Sequence, residues 1–244
     1  MLSKTRLKYI QTLGQKKFRD SEGLFIAEGP KIVEELLREE NVKVKEVLAL
    51  EEWIETHGSL AKKFNITSIS SLELERISSL SSPNQVLAVL EQFPVKPVLA
   101  TKGRFTLALD DIQDPGNMGT IIRLADWYGI DQLVCSTRSA DIYNPKVVQS
   151  TMGSIARVNC YYTDLETWLG EQEMNIYAAV LNGRSIQDMP PLKEGIMIIG
   201  NESRGISESI LKLVNEKLTI PKIGKAESLN AAVATGIILS HLLK

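Results

Sequence analysis

Apolar residues in the second half of the chain fall in short unbroken runs, separated by polar loops that carry glycine. The runs predict strands at Thr106–Asp110, Gln132–Cys135, Ile176–Leu181, Ile196–Gly200 and Lys217–Ile220. Ile196-Met197-Ile198-Ile199 shows no polar alternation, as expected of a strand covered on both faces. Between the runs, spacing predicts helices at Asn117–Tyr128, Pro145–Thr151, Leu165–Gly170, Ser207–Leu213 and Leu229–Leu243. The last is apolar nearly all round from Ala231 to Leu239, which predicts burial. Strands alternating with helices give an α/β domain.

The first part of the chain alternates in the same way on a smaller scale. Helices are expected over Thr5–Leu13, after Pro30 (with an Ile32, Val33, Leu36, Leu37 stripe), over Trp53–Phe64 and over Leu72–Ser79. Strands are expected at Leu24–Ala27, Val42–Leu50, Ile66–Ile69 and Val86–Leu90. Two prolines, a glycine and no clear period over 93–104 mark a linker. The reading is therefore a domain at 1–92, a linker at 93–104 and a domain at 105–244.

Composition narrows the setting. With 43% hydrophobic and 24% charged residues, the chain reads as an ordinary soluble protein able to bury a core without staples. Its two cysteines, Cys135 and Cys160, form no C-x-x-C, so a reduced, cytoplasmic location is expected and no cysteine metal site. The basic start, Met1 to Lys8, leads into no apolar core of signal-peptide length. The longest apolar stretch, Ala231–Leu239, is far too short to span a bilayer, so no membrane partner is expected. The net charge of −2 excludes a bulk polycation. Yet Lys4, Arg6, Lys8, Lys16, Lys17 and Arg19 all precede the first acidic residue, Asp20. Such a cluster is either a footprint for phosphate backbones or the solvated face of a first helix.

Three polar loops, each following a predicted buried strand, form the candidate pocket. The first, Asp114-Pro115-Gly116-Asn117, opens the helix that carries Arg123, and Asn117 is suited to be its N-cap. Gly119 and Thr120 leave room for the Arg123 side chain to lie back toward the helix N-terminus. In the second, Gly200-Asn201-Glu202-Ser203-Arg204-Gly205, two glycines bracket a carboxylate able to accept a hydrogen bond or complement a helix dipole. The third runs from Ile220-Pro221 to Ser228-Leu229-Asn230, with Ser228 a natural N-cap and Asn230 in need of amide partners. The carboxyl end of such a sheet is where α/β proteins bind ligands. No G-x-G-x-x-G follows the first strand of either domain and no G-x-x-x-x-G-K-[ST] is present, which argues against ordinary dinucleotide and P-loop sites. With only His57 and His241, a histidine triad or metal centre is not expected.

In order and spacing, Asn117-Met118-Gly119-Thr120-Ile121-Ile122-Arg123, Ile199-Gly200-Asn201-Glu202-Ser203-Arg204-Gly205 and Ile220-Pro221 through Ser228-Leu229-Asn230 resemble the three motifs of SpoU/TrmH-type RNA methyltransferases. The first domain, with Phe25-Ile26-Ala27-Glu28-Gly29 and Ser82-Pro83-Asn84-Gln85-Val86, resembles the small L30e-like substrate-binding domain that precedes many members. The resemblance implies a C-terminal SPOUT domain with a parallel sheet and a deep trefoil knot, preceded by that L30e-like α/β domain. A knot is something chain-connection rules would not suggest. It further implies S-adenosylmethionine as cofactor, a homodimer through the C-terminal domain, and methyl transfer to a ribose 2′-hydroxyl of RNA, with ribosomal RNA preferred over transfer RNA. A non-catalytic RNA-binding protein and a base methyltransferase are the rival readings, but Arg123 and the third motif are retained and the first motif's spacing favours ribose.

By the same resemblance the cofactor contacts are Asn182 and Gly183 in the loop after Ile176–Leu181, with Gly200, Asn201, Ile220, Ser228 and Leu229. The active-site positions are Asn117, Arg123, Glu202, Ser228 and Asn230. Many relatives carry a polar residue soon after the last Asn; here Ala231, Ala232 and Val233 follow, which alters packing rather than reaction. A guanidinium with a pKa above about 12 is a poor base, so Arg123 is read as stabilising a developing alkoxide or gripping a phosphate.

Overall fold

The computed structural model describes residues 2–243. They form two compact units: residues up to Pro94 with Asp141–Ala156, and Val95–Ala140 with the chain from Arg157 onward.

In the first unit, helices α1 (Lys4–Thr12) and α2 (Lys16–Glu22) lead into β1 (Leu24–Glu28), α3 (Pro30–Arg38) and β2 (Val44–Ala49). Then come α4 (Glu51–Thr56), α5 (Gly58–Lys63), β3 (Ile66–Ser68), α6 (Ser71–Ile77) and β4 (Val86–Glu91). The sheet has the order β1-β4-β2-β3, with only the β2–β3 pair parallel. Two expectations change here. The helix expected over Trp53–Phe64 is two helices, broken at His57, whose ring stacks on Trp53 with centroids 4.3 Å apart. The helix α2 has no apolar stripe to betray it: its one buried side chain is Arg19.

The second unit opens with β5 (Phe105–Asp110), α7 (Pro115–Trp127) and β6 (Gln132–Ser136). The chain then supplies α8 (Pro145–Thr151), which packs on β1 of the first unit, and returns with β7 (Asn159–Thr163) and α9 (Leu165–Gly170). There follow β8 (Ile176–Ser185), β9 (Gly195–Gly200), α10 (Glu208–Leu211), β10 (Glu216–Thr219) and α11 (Ala231–Leu242). The six strands are all parallel, in the order β10-β8-β9-β5-β6-β7. Every residue of β5 is buried, and β9 is buried from Gly195 to Ile199, as their unbroken apolar runs require. Neither β7 nor its edge position was legible, because the edge strand Asn-Cys-Tyr-Tyr-Thr buries only Cys160 and leaves the other four half-buried, which gives no two-residue alternation.

The 93–104 segment is not a free tether. Val98 is buried in the core of the second unit, and its carbonyl accepts from Trp168 Nε1 at 2.7 Å. Cys135 and Cys160 are free thiols in this core, and burial pushes the Cys160 thiol up to about 12.

Candidate active site

The order of the sheet places its reversal at β5. The chain steps from β5 to β6 on one side, and β9 arrives on the other, so the carboxyl ends of β5 and β9 flank a crevice of the kind in which α/β sheets hold ligands. Asp110 ends β5 and pairs in register with Gly200, which ends β9. The first and second motifs therefore leave the sheet side by side.

Local chemistry sets how each motif leaves. The N-cap of α7 is Asp114, whose Oδ1 accepts from the Asn117 N–H at 2.8 Å, with Pro115 following in the first turn. The expected cap, Asn117, is displaced inward to the first turn because the acid-proline pair starts the helix earlier. Its side chain, 8% exposed, is thus released from capping and turned into the crevice. The N-cap of α11 is likewise Asn230, not Ser228: Asn230 Oδ1 accepts from the Ala232 and Val233 amides at 3.0 and 3.2 Å.

These displacements bring the three motifs into one chain of hydrogen bonds. Asn117 Nδ2 donates to Glu202 Oε1 at 2.5 Å, and Asn230 Nδ2 donates to Asn117 Oδ1 at 2.8 Å. The Asn117 amide is the hinge of the set: a carboxylate fixes its donor end and a second amide fixes its acceptor end, so its orientation has no alternative. Asn117 and Asn230 stand at the polar end of a groove of about 530 Å³ between α7 and α11, lined further by Thr120, Leu124, Val233 and Ile237.

Arg123 and Ser228 are not drawn into that chain. Arg123 is exposed and has no hydrogen-bond or ion-pair partner among the described residues. It lies one turn beyond Thr120 and next in sequence to Leu124, both of which line the groove. Ser228 is exposed in the third loop. Throughout residues 221–230 the chain is exposed, and no backbone N–H from Lys222 to Asn230 donates to a described residue. The helix that follows is less buried than its apolar sequence implies. Ala232, Thr235 and Leu239 face the core, while Val233 and Ile237 are 52% and 37% exposed on the groove side.

The proposed cofactor contacts divide. Asn182 and Gly183 do not follow β8; they lie within it, where the strand bulges. Lys217 pairs with Ala178 and Leu218 with Arg184, so the residues between are looped out of the ladder. Gly183 is required there, since a Cβ would sit 2.5 Å from the Lys217 carbonyl oxygen. Gly200 is held as tightly by the turn it starts, a Cβ meeting the Gly205 carbonyl carbon at 2.5 Å. Asn201 has its side chain fully committed to that turn. Its Oδ1 accepts from the Ser203 and Arg204 amides, and its Nδ2 donates to the Asp111 carbonyl at 2.8 Å. Ile220 is partly buried and Leu229 is 47% exposed.

Of the N-terminal basic residues, Lys4, Lys8, Lys16 and Lys17 are exposed. Arg6 is paired with Glu46 and Lys16 with Asp20. Arg19 is a correction: it is 2% exposed, bonded to the Leu13 and Gly14 carbonyls and to Asp141, and offers no cation to a partner.

Residues the motif reading missed stand just behind the site. Asp110 Oδ2 accepts from the Ser207 amide at 2.8 Å, and Asp111 anchors Arg138 and Arg204. The adjacent acids at the end of β5 were the only sequence signal. Their partners lie 25 to 97 positions away and carry none.

Comparisons with known proteins agree with this geometry. Residues 104–240 match the model of the SpoU rRNA Methylase family, and residues 4–88 match the MRM3-like substrate binding domain. A Bacillus subtilis (strain 168) protein named 23S rRNA (guanosine(2553)-2′-O)-methyltransferase RlmP is 32% identical, covering 97% of this chain and 95% of that one. A putative RNA methyltransferase of the TrmH family from Porphyromonas gingivalis superposes with a TM-score of 0.85 at 34% identity, covering 99% and 98% of the two chains. An AdoMet-bound rRNA methyltransferase from Sinorhizobium meliloti also superposes at 0.85, with 28% identity over 99% and 96%. With a family model spanning more than half its length and the three motifs bonded into one site, the chain belongs to the SpoU family of RNA methyltransferases.

Proposed function

We propose that the protein transfers the methyl group of S-adenosylmethionine to a ribose 2′-hydroxyl of ribosomal RNA. The observation that carries this reading is the Glu202–Asn117–Asn230 chain of hydrogen bonds, which ties three separate loops together beside one groove, on the same helix as an exposed arginine with no partner among the described residues.

The loops fit the cofactor. The third loop offers a row of exposed backbone N–H groups without acceptors among the described residues, and the bulge in β8 and the Gly200 turn are built on close backbone approaches that exclude side chains. Asn182, Gly183, Gly200, Ile220, Ser228 and Leu229 would hold S-adenosylmethionine, in the C-terminal knot that the family resemblance implies. The cofactor supplies a methyl group on a sulfonium. The protein's own part is to hold the 2′-oxygen in line and ease the loss of its proton. Glu202 Oε1 is occupied by Asn117, leaving Oε2 to accept from a hydroxyl; the second Nδ2 hydrogen of Asn117 can orient the same ribose. Arg123, permanently charged and without a partner among the described residues, stabilises the developing alkoxide or grips the adjoining phosphate.

The subunit works as a homodimer in this reading. Val233 and Ile237 line the groove side of α11, and Leu229 in the third loop and Trp127 on α7, at 80%, are further exposed apolar side chains that a second copy would cover. The N-terminal domain, residues 1–92, would select the RNA through Lys4, Lys8, Lys16 and Lys17.

The test is incorporation of labelled methyl from S-adenosylmethionine into a 23S rRNA transcript, with 2′-O-methyl positions mapped, for wild type and Arg123→Ala. Ribose methylation is expected in wild type and is lost in the variant, which still binds the cofactor by calorimetry. Methylation of transfer RNA alone would replace the substrate. Cofactor binding without methylation of any RNA would overturn the activity.

A further inference from the structure

The second unit holds a charged cluster that the reaction does not use. Asp111 follows β5 and takes a left-handed backbone conformation, φ 59°, which Asp and Asn tolerate better than other non-glycine residues. The conformation is held from both sides: its N–H donates to Ser136 Oγ at 2.9 Å, and its carbonyl accepts from Asn201 Nδ2 at 2.8 Å. Its carboxylate, buried, accepts from Ser136 Oγ and from two arginines. Arg138 approaches through Nε at 3.1 Å and Nη2 at 2.8 Å, and Arg204 through Nη2 at 3.2 Å.

The three strands that lead into these residues, β6, β5 and β9, are neighbours and parallel, so the cluster stands at the same carboxyl end of the sheet as Asn117 and Glu202. Arg204 is two residues beyond Glu202 in one turn.

Two features point to a ligand. Both arginines reach the same oxygen, Asp111 Oδ2, so two like charges are held shoulder to shoulder against a single carboxylate. One positive charge is left over. Both side chains are also open, at 67% and 58% exposure, and neither has another partner among the described residues. Most of their five N–H donors each face solvent in a fixed fork. A buried acid that merely neutralised an arginine would need one. Two exposed guanidinium groups on one anchor, with a positive charge in excess, offer the charge and the donor chemistry that an anionic oxygen group takes.

We infer that Arg138 and Arg204, aligned by Asp111, form a clamp for an RNA phosphodiester next to the target ribose. This rests on the reading of the protein as an RNA methyltransferase. Asp111 is a positioning residue in it, and the arginines make the phosphate contacts.

The experiment measures binding of a 23S rRNA transcript across a salt series for wild type, Arg138→Ala/Arg204→Ala and Arg138→Lys/Arg204→Lys. Cofactor affinity and thermal midpoint are followed in parallel. In the alanine pair the slope of log K against log salt should fall by about 0.7 for each phosphate that the protein no longer neutralises. Methyl-transfer loss should sit in KM for RNA, with S-adenosylmethionine affinity unchanged. The lysine pair keeps charge and should keep most of the slope while losing the fork. A wild-type slope in the alanine pair overturns the clamp. So does a pattern in which both pairs lower the thermal midpoint and cofactor affinity but leave the slope unchanged, since the arginines would then only brace the loop. If wild type binds but does not methylate while the alanine pair loses slope, the clamp stands and the enzymatic reading fails; methylation with an unchanged slope is the reverse.

Discussion

Asn117 Nδ2 lies 2.5 Å from Glu202 Oε1, although the two residues are 85 positions apart. One comes from the first turn of α7 and the other from the turn after β9, and the side-chain amide is the tie between them. Hydrogen bonds to charged groups contribute about 1.5–3 kcal/mol.

Asn117→Ala removes that tie and the acceptor for Asn230 together. A loss of about 1.5–3 kcal/mol of transition-state stabilisation corresponds to roughly 10- to 160-fold in kcat/KM. Asn117→Asp should be worse despite its similar shape, because it sets a second carboxylate against Glu202. Steady-state methyl transfer on the three proteins checks the order, wild type above Ala above Asp. An Asp variant as active as the Ala variant would mean that Glu202 does not carry a charge toward this site.

Much of this was legible in the sequence, and the remainder fails for local reasons. The buried strands β5 and β9 declare themselves as unbroken apolar runs, and the helices at 145–151 and 165–170 come out with the expected bounds. The motif loops are legible as polar, glycine-bearing turns after those strands. The caps of α7 and α11 are misassigned because several side chains in each loop can cap, and only the fold decides which one does. The exposed face of α11 was read as core, since an apolar side chain looks the same whether its cover comes from its own chain or from elsewhere. Arg19 reads as one more surface cation in a basic run; only tertiary structure turns it inward to Asp141. Asp111 showed only as one of two adjacent acids ending β5, and Arg138 had no pattern at all, the two being joined by strand order rather than spacing.

Gly183→Ala tests the bulge in β8. The added Cβ would lie 2.5 Å from the Lys217 carbonyl oxygen and 2.7 Å from its carbon, both backbone atoms that cannot rotate away. Overpacking of this kind costs about 1–3 kcal/mol. The thermal midpoint should fall and S-adenosylmethionine affinity with it. Gly224→Ala, in the open third loop where a Cβ meets nothing within 4 Å, should leave the midpoint unchanged. Equal effects at the two positions would remove the steric argument.

Val233→Asp and Ile237→Asp test the homodimer. Neither side chain is buried in the subunit, at 52% and 37% exposure, so a charge there has no folding penalty of the buried kind, and circular dichroism should be unaltered. Set in an apolar subunit interface, the same charge is unpaired and desolvated. Sedimentation analysis should show a dimer for wild type and a monomer for each variant. A wild-type protein that sediments as a monomer would leave the apolar face of α11 without the proposed partner.

Glu73 gives a pH signature in the first unit. It closes a capping box at the start of α6: the Ser70 amide and hydroxyl both donate to Oε2 at 2.9 Å, while the Glu73 amide donates to Ser70 Oγ at 3.3 Å. The Leu2 amide donates to the other oxygen, Oε1, at 2.5 Å. The backbone donors of Ser70 and Leu2 and the Ser70 hydroxyl hold the carboxyl at about 2, below its ordinary 4.5. Because the folded state favours the ionised form, the resulting stabilisation is complete above the ordinary value and is lost as the pH falls from about 4.5 through about 2. Glu73→Gln lacks that term at every pH. Urea unfolding of the pair should therefore show the variant weaker at pH 7, with the two curves converging as the solution is acidified toward pH 2. Other carboxylates titrate alike in both proteins, so the difference isolates this one. A gap that stays constant from pH 7 to pH 2 would mean that the variant loses packing rather than the ionised cap.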